Sequence, residues 1–434
     1  MNAGSQHIFR LFEKAFVILA LLLSTGIVLS AQVDSTGAKA AEGNPVQQAI
    51  NMVNYTVVGL FLVFRARRTM VVASRDLLLW MLLLLACVSV IWSAMPALTL
   101  RRTVALVGTT AMGLYLASRY SIGEQVRLLA KVLLLAAVLS LAVIALWPER
   151  GVYGTEMGAH GIFFRGLYEN KNVLGRLLAL GALTMVFAFF NSTHRWIWCF
   201  GFLLCVGLLA LCRSATAMVV LAATLATLPV LAVLRWNYRL TLPLIVSAAL
   251  PGGLVLAWLW ANAETVFGVL GKDTTFTGRT DIWMAVMDMI WQRPWLGYGL
   301  NGFWLGWEGP SAYVCQIAGW AVPHAHNGFL DLWLAVGVWG LAIFVVGFTL
   351  AFFRALAAMA RSTRASEGIW PVVYLLFMLL YNVTESTILR PHSIFWMLFV
   401  AAVFSRPAMR SAREPAGAKK VAPGAEEKPV VVTG

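Results

Sequence analysis

Charged residues are scarce in this chain, and acidic residues are the scarcest. Of 434 residues, 12% are Asp, Glu, Lys or Arg and 19 are acidic, whereas 60% are hydrophobic. A soluble fold of this composition would leave large apolar areas in water, so we predict a polytopic membrane protein. In such a chain the net charge of +14 reports orientation in the bilayer, and no nucleic-acid motif accompanies it.

Several signatures of soluble enzymes are also missing. The sequence has no Walker phosphate-binding loop, no DxD pair for a metal-bound nucleotide sugar and no HExxH metal spacing. Its five cysteines lack CxxC spacing, and four lie in or beside apolar segments, which is typical of packing residues. A bridge between Cys212 and Cys315 is the alternative. We therefore predict neither a metal site nor a cofactor.

Long apolar runs are abundant, and they predict about twelve membrane-spanning helices, the last two short for a span of roughly 20 residues. They are too long and too uniformly apolar for barrel strands, so the fold class is all-α. The first run resembles a signal peptide weakly and is kept as a helix. The runs cover residues 15–30, 49–64, 77–92, 103–118, 128–147, 172–190, 196–211, 217–234, 240–260, 327–352, 370–383 and 393–404.

Positive charge predicts the orientation. Placing the amino terminus in the cytoplasm puts most Lys and Arg inside, as the positive-inside rule requires, and leaves both termini cytoplasmic. Residues 1–404 then form a single integral membrane domain with one large outer loop at 261–326, and the Pro-, Ala-, Lys- and Glu-rich residues 405–434 form a disordered cytoplasmic tail. The remaining outer basic residues concentrate in residues 148–171, 212–216 and the large loop.

The large outer loop is predicted to contain an amphipathic helix at residues 281–292. Its apolar face comprises Ile282, Trp283, Val286, Met287, Ile290 and Trp291. Arg279 would stand at the amino end, where free backbone N–H groups and the helix dipole favour an anion such as phosphate. The alternative is a surface arginine paired with Asp281 or Asp273. Residues 295–304 then mix glycine turns with aromatic rings suited to a lipid interface or to sugar faces.

Two of the six histidines, His324 and His326, lie where this loop enters the next apolar run. Interfacial histidines can simply anchor a helix end, but imidazole also exchanges a proton near neutral pH. The two are two residues apart and would diverge on a helix, which argues against a shared metal. One base with several arginines suits a transfer in which an acceptor hydroxyl loses a proton while a pyrophosphate leaves. The compartment outside the cytoplasm has no nucleotide sugars, so a lipid-linked pyrophosphate is the natural donor there.

The histidine segment resembles a known family. His326-Asn327, nine residues, Gly337, two residues and Gly340 are similar to the pattern H-[NSQ]-x9-G-x2-[GTY] of the O-antigen ligase and polymerase superfamily. Residues 278–283 and 293–299 resemble the large periplasmic loop of its exopolysaccharide polymerases, and residues 170–175 and 382–386 resemble further segments of them. The resemblance covers residues 166–404.

This resemblance implies a twelve-helix, GT-C-like fold in the bacterial inner membrane and a metal-independent, inverting glycosyltransferase whose undecaprenyl pyrophosphate leaves in the periplasm. His326 matches the catalytic histidine, proposed as general base, and Arg279 and Arg213 match the pyrophosphate-binding arginines. Glu385 lies in a matching segment and is expected to orient His326 or the acceptor. Charge placement adds Arg165, Lys171 and Arg176 as candidate substrate contacts, with His324 as a neighbour of the catalyst.

Three functional alternatives remain open at this point. A polymerase, which the tryptophan-rich loop favours, would add lipid-linked repeat units to one another, and a ligase would transfer the finished glycan to the lipid A core. A lipid-linked glycan flippase would also have about twelve helices. Transporters usually carry ionisable residues inside their helices, whereas the predicted spans of this chain are nearly free of charge. Flippase and chain-length regulator proteins are expected partners, together with the glycan donor, the glycan acceptor and the bilayer.

Overall fold

The fold is given by a computed structural model that describes residues 3–27, 45–154, 162–236 and 279–409. Helices dominate these residues. We number them α1 (Ala3–Leu23), α2 (Pro45–Phe64), α3 (Ala66–Ala73), α4 (Leu77–Val88), α5 (Pro96–Arg119), α6 (Ile122–Leu146), α7 (Pro148–Gly151), α8 (Lys171–Phe190), α9 (Arg195–Cys212), α10 (Ala215–Trp236), α11 (Arg279–Gln292), α12 (Ala312–Ala318), α13 (Gly328–Arg361), α14 (Ala365–Asn382) and α15 (Ile394–Phe404).

Several of these helices are long and apolar enough to cross a bilayer. Within the described residues there are six, namely α2, α6, α8, α9, α10 and α13. The pair formed by α3 and Leu77–Trp92, bent by 95°, would make a seventh if it is one span. The chain is therefore a helical polytopic protein, and the total of about twelve spans stays a prediction. The predicted run 240–260, the start of the large loop and most of the tail lie outside the described residues.

Most helix bounds lie within a few residues of the predicted apolar runs, but α1 begins at Ala3 and not at residue 15, and α13 ends at Arg361 and not at residue 352. There is one departure from an all-α fold. Short strands β1 (Val152–Gly154) and β2 (Ile162–Phe164) pair antiparallel, with Val152 opposite Phe164. This hairpin lies in the predicted outer segment 148–171. All five cysteines are free, so the alternative of a Cys212–Cys315 bridge is wrong, and both residues serve as buried packing groups.

The core is built around α8, which packs against α6, α9 and α10. Leucine and alanine side chains on several of its faces are buried, as expected for a helix enclosed by others. A second group of helices packs beside it, with α15 against α5 and α13 against α4 and α14. Trp396 of α15 is buried, and its indole N–H donates to Thr110 of α5 at 3.0 Å.

One end of the helix assembly is held by ion pairs. Glu13 is buried and receives Arg65 at 3.0 Å and Arg119 at 2.9 Å, which ties α1 to α2 and α5. Arg354 pairs with Asp76, which also caps α4 by accepting from the backbone N–H of Leu79. Arg65, Arg119 and Arg354 at this end thus each pair with an acidic residue.

Helix α13 is broken at Gly337, whose φ of 71° and ψ of −174° are non-helical. Phe329 and Phe344 lie on either side of the break with ring centroids 6.4 Å apart. In a straight helix these residues would be separated by about 22 Å along the axis, beyond the reach of two phenylalanine side chains. The predicted single span at 327–352 is therefore wrong in detail, because it consists of two segments that fold towards each other.

The break receives the turn that follows α11. The backbone N–H of Val338 donates to the Pro294 carbonyl at 2.9 Å, and that of Tyr298 donates to the Leu334 carbonyl at 2.7 Å. A Cβ atom on Gly337 would collide with the Trp295 carbonyl, and one on Gly297 would collide with the Leu334 carbonyl. The two glycines permit direct backbone contact between turn and helix.

The amphipathic helix exists, but its buried face differs from the predicted one. The buried side chains of α11 are Ile282, Ala285, Val286, Met289 and Ile290, the i, i+3, i+4, i+7, i+8 pattern of a single face. They pack with Val314 and Cys315 of α12 in a separate apolar cluster. Trp291, predicted on the buried face, is 63% exposed, because it lies at the edge of this face against Trp333.

We expect Gly337→Ala to destabilise the protein. A positive-φ residue with a side chain carries a strain of about 1–3 kcal/mol, and the added Cβ also displaces the Trp295 backbone. The measurement is the fraction of detergent-solubilised protein that stays monodisperse after heating. Gly207→Ala in α9, where a Cβ would meet nothing within 4 Å, is the matched control, and equal stability of the two variants would contradict the interpretation.

Candidate functional site

His326 lies in the loop before α13 with its backbone in the left-handed region, at a φ of 51°. Three hydrogen bonds fix this unusual conformation. The His326 backbone N–H donates to Nδ1 of His324 at 3.1 Å, and the neighbouring Ala325 uses both of its backbone groups. Its N–H donates to the Asp331 carboxylate at 3.0 Å, and its carbonyl accepts from the Trp283 indole N–H at 2.9 Å. The imidazole therefore projects from an immobilised backbone.

Glu385 faces this imidazole. One of its carboxylate oxygens lies 3.7 Å from Nδ1 of His326, and the other forms an ion pair with Nη2 of Arg279 at 3.1 Å. Arg279 is the first residue of α11, as predicted, but its acidic partner is Glu385 and not Asp281. Segments more than 45 residues apart in the chain thus supply a histidine, a carboxylate and a guanidinium to one place.

Helix ends place Glu385 beside His326. Asn327 caps α13 by accepting from the backbone N–H groups of Phe329 and Leu330. The next residue, Gly328, lies so close to α14 that a Cβ would collide with the Asn382 side chain. Asn382 in turn accepts from the Thr387 N–H at 2.8 Å and donates to its hydroxyl at 2.7 Å. This closes residues 382–387 into a turn that presents Glu385.

The two acid-base groups beside His326 have shifted pKa values. Burial raises the pKa of Glu385, but His326, Arg279 and Arg176 outweigh burial and hold it below 4.5. Burial, together with repulsion from Arg390, His326, Arg176 and Arg279, lowers the pKa of His324 well below 6.5. A neutral His324 agrees with its role as an acceptor, since Nδ1 can accept the His326 N–H only when it carries no proton.

Arg390 belongs to the same surroundings, although sequence reasoning did not place it there. Its side chain is accessible to solvent and lies near Arg176. Nη1 of Arg390 donates to the Ser386 carbonyl at 3.4 Å, one residue after Glu385. The guanidinium of Arg176 lies 5.4 Å from the centre of the Phe395 ring, and its buried Nε has no hydrogen-bond partner. Such a set of arginines attracts an anion.

The residues present fit an anion better than a metal ion. The two histidines do not diverge as expected for a helix, because they lie in a loop with ring centroids 4.1 Å apart. Together with Glu385 they offer ligand atoms within 4.8 Å of one another. However, Nδ1 of His324 already accepts the His326 N–H. A divalent cation would also face the positive charges of Arg279, Arg176 and Arg390, which oppose it. The absence of a metal from the reaction remains a prediction.

The other predicted residues lie in neighbouring parts of this end. Arg213 is exposed and ends α9 in the left-handed conformation, at a φ of 50°. Its turn approaches the site through Thr216, whose hydroxyl is 3.5 Å from that of Thr384. Nζ of Lys171 lies 3.5 Å from the ring centre of Phe163.

Arg165 likewise contacts the hairpin region, since its Nε donates to the Arg150 carbonyl at 2.8 Å. The contacts described for Lys171 and Arg165 are thus with Phe163 and Arg150, at the hairpin. Their roles as substrate contacts, like that of Arg176, stay predictions.

Comparison with known proteins agrees with the histidine motif. Residues 200–345 match the O-antigen ligase family. Over 347 residues the chain is also 27% identical to the exopolysaccharide production protein ExoQ of Rhizobium meliloti (strain 1021), an alignment that covers 75% of this chain and 76% of that protein. The resemblance predicted from the sequence is confirmed. The O-antigen ligase match contains Arg213, Arg279 and His326, whereas Glu385 and Arg390 lie beyond it.

Apart from Arg390, the residues missed by sequence reasoning hold the backbone around His326, directly or through one another. Trp283 and Asp331 hold Ala325, and Trp304 donates to Asp331 at 2.8 Å. A usable signal existed for Asp331, because it is the sole acidic residue in the predicted apolar run 327–352. An isolated acidic residue in an apolar run is rare, and it indicates a functional site as a first hypothesis. The indole donors carried no comparable signal.

Stability should fall as the pH drops below 6.5, partly because of His324. Its folded-state pKa is depressed, so between 6.5 and that value the unfolded chain binds a proton that the folded chain does not, and stability declines with falling pH. His324→Asn keeps an acceptor near the Nδ1 position and removes the titration. We therefore expect a smaller difference in melting temperature between pH 7.5 and pH 5.5 for the variant than for the wild type.

His392, whose pKa burial and Arg102 lower to about 4, titrates in both proteins and cancels in that comparison. His7→Asn serves as the control for removal of a histidine. An unchanged pH dependence in His324→Asn would show that His324 is not held neutral in the folded protein.

Proposed function

We propose that this protein is a glycosyltransferase of the bacterial inner membrane that polymerises undecaprenyl-pyrophosphate-linked oligosaccharide repeat units at the periplasmic face. The observation that carries the proposal is the convergence of His326, Glu385 and Arg279 from remote segments. A base, its orienting acid and a phosphate-binding cation are the groups that a metal-independent transfer from a lipid pyrophosphate needs.

His326 acts as the general base. The Glu385 carboxylate faces Nδ1, which favours the tautomer with the proton on Nδ1 and leaves the Nε2 lone pair for the acceptor hydroxyl. Nε2 removes the hydroxyl proton as the oxygen attacks the anomeric carbon from the side opposite the pyrophosphate. The bond from that carbon to the phosphate oxygen breaks in the same displacement, so the configuration inverts and the polyprenyl pyrophosphate departs with the electron pair.

Arginines stabilise the leaving group. Arg279 uses one N–H group for Glu385 and has further donors in its planar fork for phosphate oxygens. Arg176 and Arg390 add positive charge around the same site, and Arg213 is proposed to close over the pyrophosphate from its neighbouring turn. Negative charge that develops on the departing phosphates is therefore met by preorganised donors.

An apolar cavity of about 330 Å³ beside the site suits part of a prenyl chain. It is lined by Phe329, Phe344, Val345, Phe348, Thr349, Phe352 and Leu379. The chain reaches Phe329 three residues after His326, so the cavity begins next to the chemistry and continues along the second segment of α13. This supports a donor whose sugar is attached to a lipid.

The distribution of charge supports a periplasmic site. Arg65, Arg119 and Arg354 lie towards the end of the helix assembly that is remote from His326. There they pair with Glu13 and Asp76. The positive-inside rule assigns that end to the cytoplasm. The glycan acceptor and a chain-length regulator would then meet the enzyme outside the cytoplasm, after a flippase has moved the donor across the membrane.

The second candidate is a ligase that transfers the lipid-linked glycan to the lipid A core, and the match of residues 200–345 to the O-antigen ligases supports it. The similarity to a protein named for exopolysaccharide production favours polymerisation. The same chemistry serves both reactions, and the acceptor distinguishes them. Purified protein given the lipid-linked repeat unit alone makes doubled repeats if it is a polymerase, whereas a ligase makes product only once the lipid A core is supplied.

His326→Ala should reduce the rate of this transfer by about 100 to 10,000-fold, which is the usual contribution of a general base. The assay uses purified protein in detergent with a synthetic undecaprenyl-pyrophosphate-linked repeat unit, and products are resolved by mass. His194→Ala, at an exposed residue just before α9, is the matched control. Retention of wild-type activity by His326→Ala would refute the assigned base.

Arg279→Lys should lower the transfer rate by about tenfold or more, because a point charge cannot hold Glu385 and a phosphate in the two-pronged geometry of a guanidinium. The measurement is kcat and KM for the lipid-linked donor. Arg293→Lys, just after the other end of α11 and over the Tyr298 ring, is the control. Equal kinetics for the two variants would contradict a phosphate-binding role of Arg279.

A further inference from the structure

Asp331 carries a half-buried carboxylate that accepts hydrogen bonds from three donors, and the proposed chemistry does not use it. It lies in the first turn of α13. One oxygen accepts the Trp304 indole N–H at 2.8 Å and the Ala325 backbone N–H at 3.0 Å. The other oxygen accepts the same Ala325 N–H at 3.2 Å and the Ser386 hydroxyl. The carboxylate is thus occupied by protein donors on both sides.

The three donors come from three segments of the site. Trp304 belongs to the aromatic loop that follows α11, Ala325 directly precedes His326, and Ser386 directly follows Glu385. Asp331 itself is on α13, the helix capped by the histidine motif. One side chain therefore connects the loop, the base and the residue that orients the base.

The connection matters because His326 and Glu385 have a loose direct contact. Nδ1 of His326 and the nearer Glu385 carboxylate oxygen are 3.7 Å apart, beyond ordinary hydrogen-bond distance. The separation of the two groups is thus set by their backbones, and the backbones are held next to each residue by Asp331. Hydrogen bonds to an ionised acceptor are shorter and stronger than neutral ones, so the carboxylate is a firm point of attachment.

We propose that Asp331 is a positioning residue that holds Ala325 and Ser386 so that the His326 imidazole and the Glu385 carboxylate face each other. The inference rests on the proposed function for its catalytic consequence. The described hydrogen bonds of the Asp331 carboxylate are all with protein donors. Its effect on the reaction passes through the orientation of His326.

The first test measures the tether without the reaction. Amide hydrogen exchange of the full-length protein in detergent is followed for the peptide that contains Ala325 and His326. We expect Asp331→Ala to accelerate exchange in this peptide by about tenfold or more, because the Ala325 N–H loses its charged acceptor. Asp331→Asn keeps an acceptor oxygen and an amide that can donate to the Ser386 hydroxyl, so it should restore much of the protection.

The second test measures transfer kinetics on the same variants. Asp331→Ala should lower kcat by about 10 to 100-fold through misplacement of the base, with KM for the lipid-linked donor changed less than threefold. Asp331→Asn should recover most of kcat. Asp288→Asn, an exposed carboxylate that accepts from Tyr313 at 3.0 Å, should leave both exchange and kinetics unchanged.

Each result decides a separate point. Unchanged exchange in folded Asp331→Ala would overturn the tether, whatever the reaction is. Faster exchange with unchanged kcat would overturn the positioning role. If Asp331→Ala does not fold, Ser386→Ala with Trp304→Phe removes two of the three donors, and unaltered kcat in that variant would overturn the proposal. A wild-type protein inactive on lipid-linked repeats, with and without a lipid A core, would refute the proposed function, while the exchange data would still judge the tether.

Discussion

The candidate site depends on direct backbone contact between the turn at residues 294–298 and the break in α13 at Gly337. A continuous helix would use the Leu334 carbonyl for its own N–H four residues later. The break frees this carbonyl for Tyr298 and leaves the Val338 N–H for Pro294. Backbone groups released by the break are therefore satisfied by the turn, as burial requires. Because α11 directly precedes the turn, this contact also fixes the direction from which Arg279 approaches.

Two further close contacts complete the arrangement on the other side of His326. Gly328 brings the start of α13 against Asn382, and Asn382 closes the turn that carries Glu385. The glycines at 297, 328 and 337 are thus places where two backbones, or a backbone and an amide side chain, meet without an intervening Cβ. Rigid positioning of polar groups follows from these contacts more than from the surrounding apolar core.

Much of the helical framework was predictable from the sequence, because a bilayer span needs a long apolar run and the runs delimit the helices. The break in α13 was not, since Gly337 and Gly340 lie in an apolar run that continues on both sides of them. The histidine, Arg279 and Glu385 were predicted through a family resemblance, and the resemblance carries no coordinates. Their convergence depends on tertiary contacts between residues far apart in the chain, which neither apolar periodicity nor motif spacing encodes.

The predicted face of α11 and the role of Trp283 illustrate the same limit at shorter range. Apolar periodicity treated Trp283 and Trp291 as equivalent core residues. In the fold, the Trp283 indole N–H holds the Ala325 carbonyl, whereas Trp291 is largely exposed. A tryptophan side chain is both apolar and a hydrogen-bond donor, and the sequence does not reveal which property its position uses.

The arginines of the site act on its histidines as well as on its proposed ligand. Arg390, Arg176 and Arg279 each disfavour a charge on His324, and His324 must stay neutral to accept the His326 N–H. Protonation of His324 would remove that hydrogen bond and release the backbone of the proposed base. The positive charge that suits a pyrophosphate therefore also preserves the geometry of His326. The Glu385 carboxylate contacts both Arg279 and the His326 ring, so a negative charge lies between these two groups.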